Sequence, residues 1–215
     1  SVVYCGVNNS FRYIDDKEQI QSIREKYGLT EPFILFVGTF SPRKNLLRLL
    51  KAYELLQNRY GVMHKLVIVG EKGWKFNKET ALLQKSSIVG NIIFPGYIQD
   101  EDLPAVYNAA DVTVYPSIYE GFGLPVVESM ACGTPVALSD IPCLMEVAGD
   151  AAVYFDPLNV EDMADSIYSL LSDSSLYDEI KARGMERAKR YSWKEAAHAF
   201  LEIIQGMHAQ GGRPV

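Results

Sequence analysis

From about residue 33 onward, short apolar runs alternate with helical patterns, and this alternation constrains the fold more than any other feature of the chain. Phe33–Val37 is wholly apolar and stops at Gly38, as a strand buried on both faces does. Leu46, Leu49, Leu50, Tyr53 and Leu56 follow at helical spacing, with Arg48 and Lys51 on the opposite face. Lys65–Val69, stopping at Gly70, repeats the strand pattern. Asn91–Phe94 and Asp111–Tyr115 repeat it again, with a helical segment near Asp100–Ala110 between them. Thr134–Leu138 and Ala151–Phe155 add two more strands. Strand–helix alternation at this spacing places the chain in the α/β class, as a single doubly wound Rossmann-like parallel sheet with C-terminal helices.

The flanks read differently. Residues 1–30 form a connector and first helix: Val2–Val7 suits an edge strand or linker, and a helical pattern covers Glu18–Tyr27. The Rossmann-like unit is expected over 31–205. Within it, Asn159 caps a helix carrying Val160, Met163, Ile167 and Leu170, and Ser192–Glu195 is a capping box opening a last helix through Gln205. Residues 206–215 read as a flexible tail.

A net charge of −6 argues against a nucleic-acid partner, whose footprint is a basic face. Cys5, Cys132 and Cys143 lack metal or redox spacing and read as reduced core thiols of a cytoplasmic protein. No run reaches membrane-spanning length, so peripheral attachment at the inner face of a membrane is the one membrane role left open.

In open parallel sheets, ligands bind beyond the carboxyl ends of the strands. The most telling loop there is Glu120–Glu128, expected to follow the fifth strand. Gly121, Phe122 and Gly123 form an elbow into Leu124 and Pro125, a residue suited to a first helical turn. Free amides at that helix start receive anions or hydroxyls, and two flanking carboxylates suit a polyhydroxyl ligand carrying phosphate. The same spacing equally fits one carboxylate at the helix dipole and one solvated glutamate. Taken alone, the spacing leaves the two readings even.

Other loop ends add to it. After the first strand, Gly38 permits close backbone approach, and Arg43 and Lys44 can neutralise a diphosphate. Against this stand two solvated cations, with Ser41 or Asn45 as helix cap. The loops at Gly70–Trp74 and Pro95–Ile98 can offer backbone groups to a base edge, and equally fit plain turns. Trp74 and Tyr97 can stack on a ligand or simply cover the core edge. The chain has no complete Gly-x-Gly-x-x-Gly fingerprint and no P-loop, which disfavours dehydrogenases and P-loop ATPases. No close acidic pair marks an obligatory metal.

These motifs together resemble the C-terminal, donor-binding half of the retaining GT-B glycosyltransferases called group 1 or family 4. The matching elements are Val37–Thr39, Arg43–Asn45, Pro95–Tyr97, Leu103–Asp111, Tyr115–Ser117, Glu120–Pro125, Glu128 and Ala131–Val136. Gly38–Asn45 with Gly73 and Trp74 is most similar to the mannosyltransferase branch. The resemblance implies that Arg43 and Lys44 hold a donor diphosphate, aided by the Leu124 amide. Glu120 bonds the transferred sugar, and the Phe122 and Gly123 amides meet neighbouring hydroxyls or phosphate. Glu128 accepts both ribose hydroxyls, and the backbone at Tyr97 and Ile98 reads the base.

The implied reaction is hexosyl transfer from a nucleoside-diphosphate sugar, a GDP-sugar favoured over a UDP-sugar, with retained configuration and no obligatory metal, in polysaccharide or glycolipid synthesis. It also implies that the glycan or lipid-linked acceptor binds an N-terminal domain outside these residues, so that the chain is inactive in isolation. The rival readings are a non-catalytic nucleotide-binding module, and half of a nucleotide-sugar epimerase or phosphorylase.

Overall fold

The computed structural model describes residues 1–70 and 87–210. Trp74, Gly73 and most of the loop after Gly70 lie outside the described residues, as does the tail from Gly211 to Val215. The expected strands are β1 (Phe33–Val37), β2 (Lys65–Val69), β3 (Ile92–Gly96), β4 (Val112–Tyr115), β5 (Val136–Ser139) and β6 (Val153–Phe155). They pair in parallel in the order β3-β2-β1-β4-β5-β6. Pro95 falls in β3 because that strand is an edge, where a missing amide hydrogen costs no ladder bond.

The uniformly apolar strands divide by period two. Ile34, Phe36, Leu66 and Ile68 face one core, while Phe33, Leu35, Val67 and Val69 face another. The first core is covered by α2 (Leu46–Tyr60) and α6 (Val160–Ser172), which pack on each other. The opposite face is covered by α1 (Lys17–Lys26), α3 (Leu103–Ala109), α4 (Leu124–Ala131), α5 (Pro142–Ala148) and α7 (Ser174–Ala188). Asn159 caps α6 as expected, accepting from the amides of Glu161 and Asp162.

Several details differ from expectation. Val2–Val7 adds no strand to the sheet; its one pairing is an isolated bridge between Val7 and Ser192. The Glu120–Glu128 run therefore follows the fourth strand, not a fifth. The last helix, α8 (Trp193–Gln210), continues past Gln205 into the expected tail. Of the three free thiols only Cys132 is buried, because Cys5 lies in the strap ahead of α1, residues 2–13, and Cys143 opens α5. None of the described helices is long and apolar enough to cross a membrane.

The sheet order reverses between β1 and β4, which leaves a crevice at their carboxyl ends. Close backbone approach shapes it. At Gly70 (φ +141°) a Cβ would lie 2.3 Å from the Gly38 carbonyl oxygen, so glycine alone lets the turns after β1 and β2 meet.

Candidate functional site

The loop after β1 carries Arg43 and Lys44 in a single 3-10 turn, Pro42–Lys44. Asn45 ends that turn at φ +58°, a left-handed conformation that asparagine tolerates better than most residues. Its side chain does not cap α2, contrary to one expectation. Instead its amide nitrogen donates to the Pro116 carbonyl at 3.0 Å and the Pro157 carbonyl at 2.6 Å. Asn45 thus ties the β1 loop to the loops after β4 and β6, and the Ile118 amide donates to the Arg43 carbonyl at 2.8 Å.

This tie brings the charges together. Glu120 Oε1 lies 2.7 Å from an Arg43 guanidinium nitrogen and 2.8 Å from Lys44 Nζ. Lys44 also donates to the Tyr115 hydroxyl, and its Nζ sits 4.2 Å from the centre of that ring. The side chains of Glu120 and Lys44 are 8% and 6% exposed, whereas that of Arg43 is 50% exposed. Burial lowers the Lys44 pKa, against the opposing pull of the Glu120 carboxylate. Burial works to raise the Glu120 pKa, but Lys44, Ser117 and Arg43 together outweigh it and hold the carboxyl below its ordinary value. Glu120 is therefore ionised at neutral pH. The stability from its pairing is complete above the ordinary carboxylate pKa and is lost as pH falls through the depressed one.

Beside this cluster, Gly123 starts α4 at φ +99° with no side-chain cap, leaving the helix's first amides to other partners. A Cβ on Gly123 would fall 2.8 Å from Leu144 Cδ2, while one on Gly121 would meet nothing within 4 Å. The two glycines should therefore differ in a thermal melt. Gly123→Ala is expected to cost about 1–3 kcal/mol through overpacking and a strained φ. Gly121→Ala is expected to melt with the unaltered chain, and equal losses would show that the elbow's shape rests on both.

One turn into α4, Glu128 is half-buried, and its Oε2 accepts from the Tyr107 hydroxyl at 2.9 Å. Burial raises the Glu128 pKa, and the Tyr107 bond offsets part of that rise. Gly38, Thr39, Tyr97, Ile98, Asp100 and Leu103 line a cleft of about 300 Å³. Gly38 is the seam to the charged cluster, because a Cβ there would lie 3.3 Å from Lys44 Cε. Tyr97 is exposed at the rim, its hydroxyl donating to Asp100 at 3.0 Å, while the Ile98 side chain is buried. Size does not single this cleft out, since a hollow of about 640 Å³ lies between the strap and α7. What does is that the ends of β1, β2 and β3 line it, next to the charged cluster held by the loops after β1 and β4 at the switch point.

Thus Arg43, Lys44 and Glu120 touch, and Gly38, Tyr97 and Ile98 share the adjoining cleft. Gly121, Phe122, Gly123, Leu124 and Glu128 form the helix start and first turn beside them. Tyr115, Tyr107 and Asn45 are the additional residues that position these groups. Tyr115 and Tyr107 read as ordinary core aromatics in sequence, and nothing local marks either as a hydrogen-bond partner of a charge.

A model of the family "Glycosyl transferases group 1" matches residues 19–187. The O-antigen chain mannosyltransferase B of Escherichia coli is 41% identical over 173 residues, 80% of this chain and 45% of that protein. The serotype-specific mannosyltransferase WbdA of Escherichia coli is 36% identical over 207 residues, 93% of this chain and 25% of that protein. The chain thus spans less than half the length of either relative. Among solved structures, the sucrose-phosphate synthase of Thermosynechococcus elongatus superposes with a TM-score of 0.83 at 27% identity, over 98% of this chain and 53% of that one. HepE from Anabaena, solved with UDP and glucose, shares the fold with a TM-score of 0.79 at 21% identity, over 97% of this chain and 56% of that one.

Proposed function

This chain belongs to the group 1 glycosyltransferases, and from that premise we propose that it is the donor-binding domain of a retaining mannosyltransferase that takes GDP-mannose. The observation that carries the reading is the Arg43–Glu120–Lys44 cluster set against the uncapped start of α4 at the switch point. Two cations and free helix amides fit a diphosphate, and the adjoining cleft accommodates a nucleoside. The mannosyltransferase relatives support mannose as the transferred sugar and polysaccharide assembly as the setting.

Each residue takes one part of the donor. Arg43, Lys44 and the Leu124 amide hold the diphosphate. Glu120 accepts from a hydroxyl of the sugar, with Gly121 giving room and the Phe122 and Gly123 amides donating beside it. Glu128 accepts from the ribose: Tyr107 occupies one site on Oε2, and a carboxylate has acceptor capacity to spare for two hydroxyls. The base lies in the cleft against Gly38 and the Tyr97–Ile98 backbone. As the bond between the sugar's anomeric carbon and phosphate breaks, its electron pair leaves with the phosphate oxygen. Arg43, Lys44 and the helix amides stabilise that growing charge, and no obligatory metal enters the reading. The acceptor, a glycan or lipid-linked glycan, would bind a further domain. The exposed apolar residues of α8, Trp193, Phe200, Leu201, Ile204 and Met207, offer that domain a surface.

Thermal melts with GDP, UDP, ADP and dTDP test this. A nucleotide present at ~100 times its dissociation constant adds about 2.7 kcal/mol of stability. GDP is expected to give the largest shift, and no shift from any of the four refutes a donor site. Glu128→Ala should weaken guanosine and GDP by the same factor, about tenfold, since it loses a charged hydrogen bond to ribose alone. A loss confined to GDP would move Glu128 to the phosphates.

A further inference from the structure

Phe122 sits between two glycines, so its own backbone does little to fix the elbow. Its side chain does more. The Phe122 ring lies 5.4 Å from the Tyr191 ring and 6.3 Å from the Tyr4 ring, and the two tyrosine rings meet edge-on at 5.9 Å. The tyrosines are themselves anchored. Tyr4 donates to Glu146 Oε1 at 2.6 Å, and Tyr191 donates to the Val147 carbonyl at 2.8 Å, both on α5. The Val7 amide donates to the Tyr191 carbonyl at 2.8 Å. A Cβ on Gly6 would fall 2.1 Å from the Trp193 amide nitrogen, so the strap lies flat against the start of α8. Cys143 closes the box, its thiol donating to the Phe122 carbonyl at 3.4 Å.

We propose that Tyr4 and Tyr191 are positioning residues for the donor: they clamp the Phe122 ring, and through it hold the Phe122 and Gly123 amides at the diphosphate and sugar. This rests on the donor-binding reading above. Neither tyrosine belongs to the charged cluster or the cleft. Their effect is pre-organisation, since a glycine-flanked peptide left free must lose its conformational freedom when ligand binds. The clamp also couples the strap and the start of α8 to the donor elbow, so a shift of either is felt where phosphate binds.

Tyr4 is 42% exposed, so replacing it leaves the cores intact. The test compares the unaltered chain with Tyr4→Ala and Tyr4→Phe by calorimetric titration of GDP and guanosine, with UDP and uridine alongside, and by amide hydrogen exchange. In Tyr4→Ala, GDP should bind about tenfold more weakly, and at the same excess of GDP the Phe122 and Gly123 amides, protected by the bound phosphate, should exchange about tenfold faster, while guanosine affinity is unchanged. Tyr4→Phe keeps the ring and should restore both. A merely structural role would weaken guanosine and GDP by one factor, and that result overturns the proposal, as does an unchanged GDP affinity. If the unaltered chain binds neither GDP nor UDP, the donor reading itself falls and the proposal falls with it.

Discussion

Glu120→Gln should bind bare GDP more tightly than the unaltered chain while losing sugar transfer. Without ligand, the Glu120 carboxylate lies 2.7 Å from Arg43 and 2.8 Å from Lys44, where a phosphate would otherwise supply the negative charge. A diphosphate entering there meets cations already neutralised and a like charge beside them. At an effective dielectric of ~20 and a separation of roughly 7 Å, that repulsion is on the order of 2 kcal/mol before screening. Allowing for screening, GDP affinity should rise about tenfold. Transfer, measured in the whole protein, should fall on the order of a hundredfold or more, because the amide cannot match a carboxylate's charged hydrogen bond to the sugar.

The gain has a pH dependence of known sign. Burial depresses the Lys44 pKa and Glu120 resists that depression. Removing the carboxylate lowers the pKa further, so the tighter GDP binding should be fullest at mildly acidic pH and fade as Lys44 loses its proton. Calorimetric titration of GDP across that range checks it. A uniform loss of GDP affinity in Glu120→Gln would show that the carboxylate supports the diphosphate rather than standing in for it.

Lys44→Ala should be the most damaging single change for the diphosphate. Lys44 is almost fully buried against Tyr115 and Glu120, so its charge acts in a poorly screened setting, whereas half of Arg43 faces solvent. Truncating one partner of a buried charge pair costs about 2–5 kcal/mol, which corresponds to a GDP affinity lower by roughly 30- to 5,000-fold. Arg43→Ala should cost about 1 kcal/mol, or roughly fivefold, in the same titration. Guanosine affinity should hold in both. Lys44→Arg should not restore binding, since the larger guanidinium must be packed into a side-chain site that is only 6% exposed. If Arg43→Ala proves the worse variant, the main phosphate contact lies at the rim of the site.

Much of the fold was legible because its signals are local. Phe33–Val37 and Lys65–Val69 were read to the residue, and Asn159 was recognised as a cap from its place before an apolar helical pattern. Boundaries moved where partners decide them: β3 runs to Gly96 rather than Phe94, because Gly96 pairs with Val69 across a register shift. Val2–Val7 is strand-like in composition but pairs with neither edge strand, β3 or β6. It lies instead against the turn before α8, through one bridge to Ser192.

The candidate site was legible in its motif residues and not in what holds them. Glycines flanking Phe122, and a proline opening α4, announce an elbow at any locus. Nothing near residue 45 in sequence shows that Asn45 is stitched to Pro116 and Pro157, or that Tyr4 meets Phe122.

The sequence alone determined the α/β class, the elements and the chemical types present at the strand ends, because periodicity and capping act over a few neighbouring residues. The tertiary structure decided the strand order, the pairing of Glu120 with Arg43 and Lys44, and the aromatic clamp on Phe122. Those depend on which apolar faces the packed sheet brings together, and a burial energy summed over a whole core carries no mark at any one residue of which distant partner it will meet.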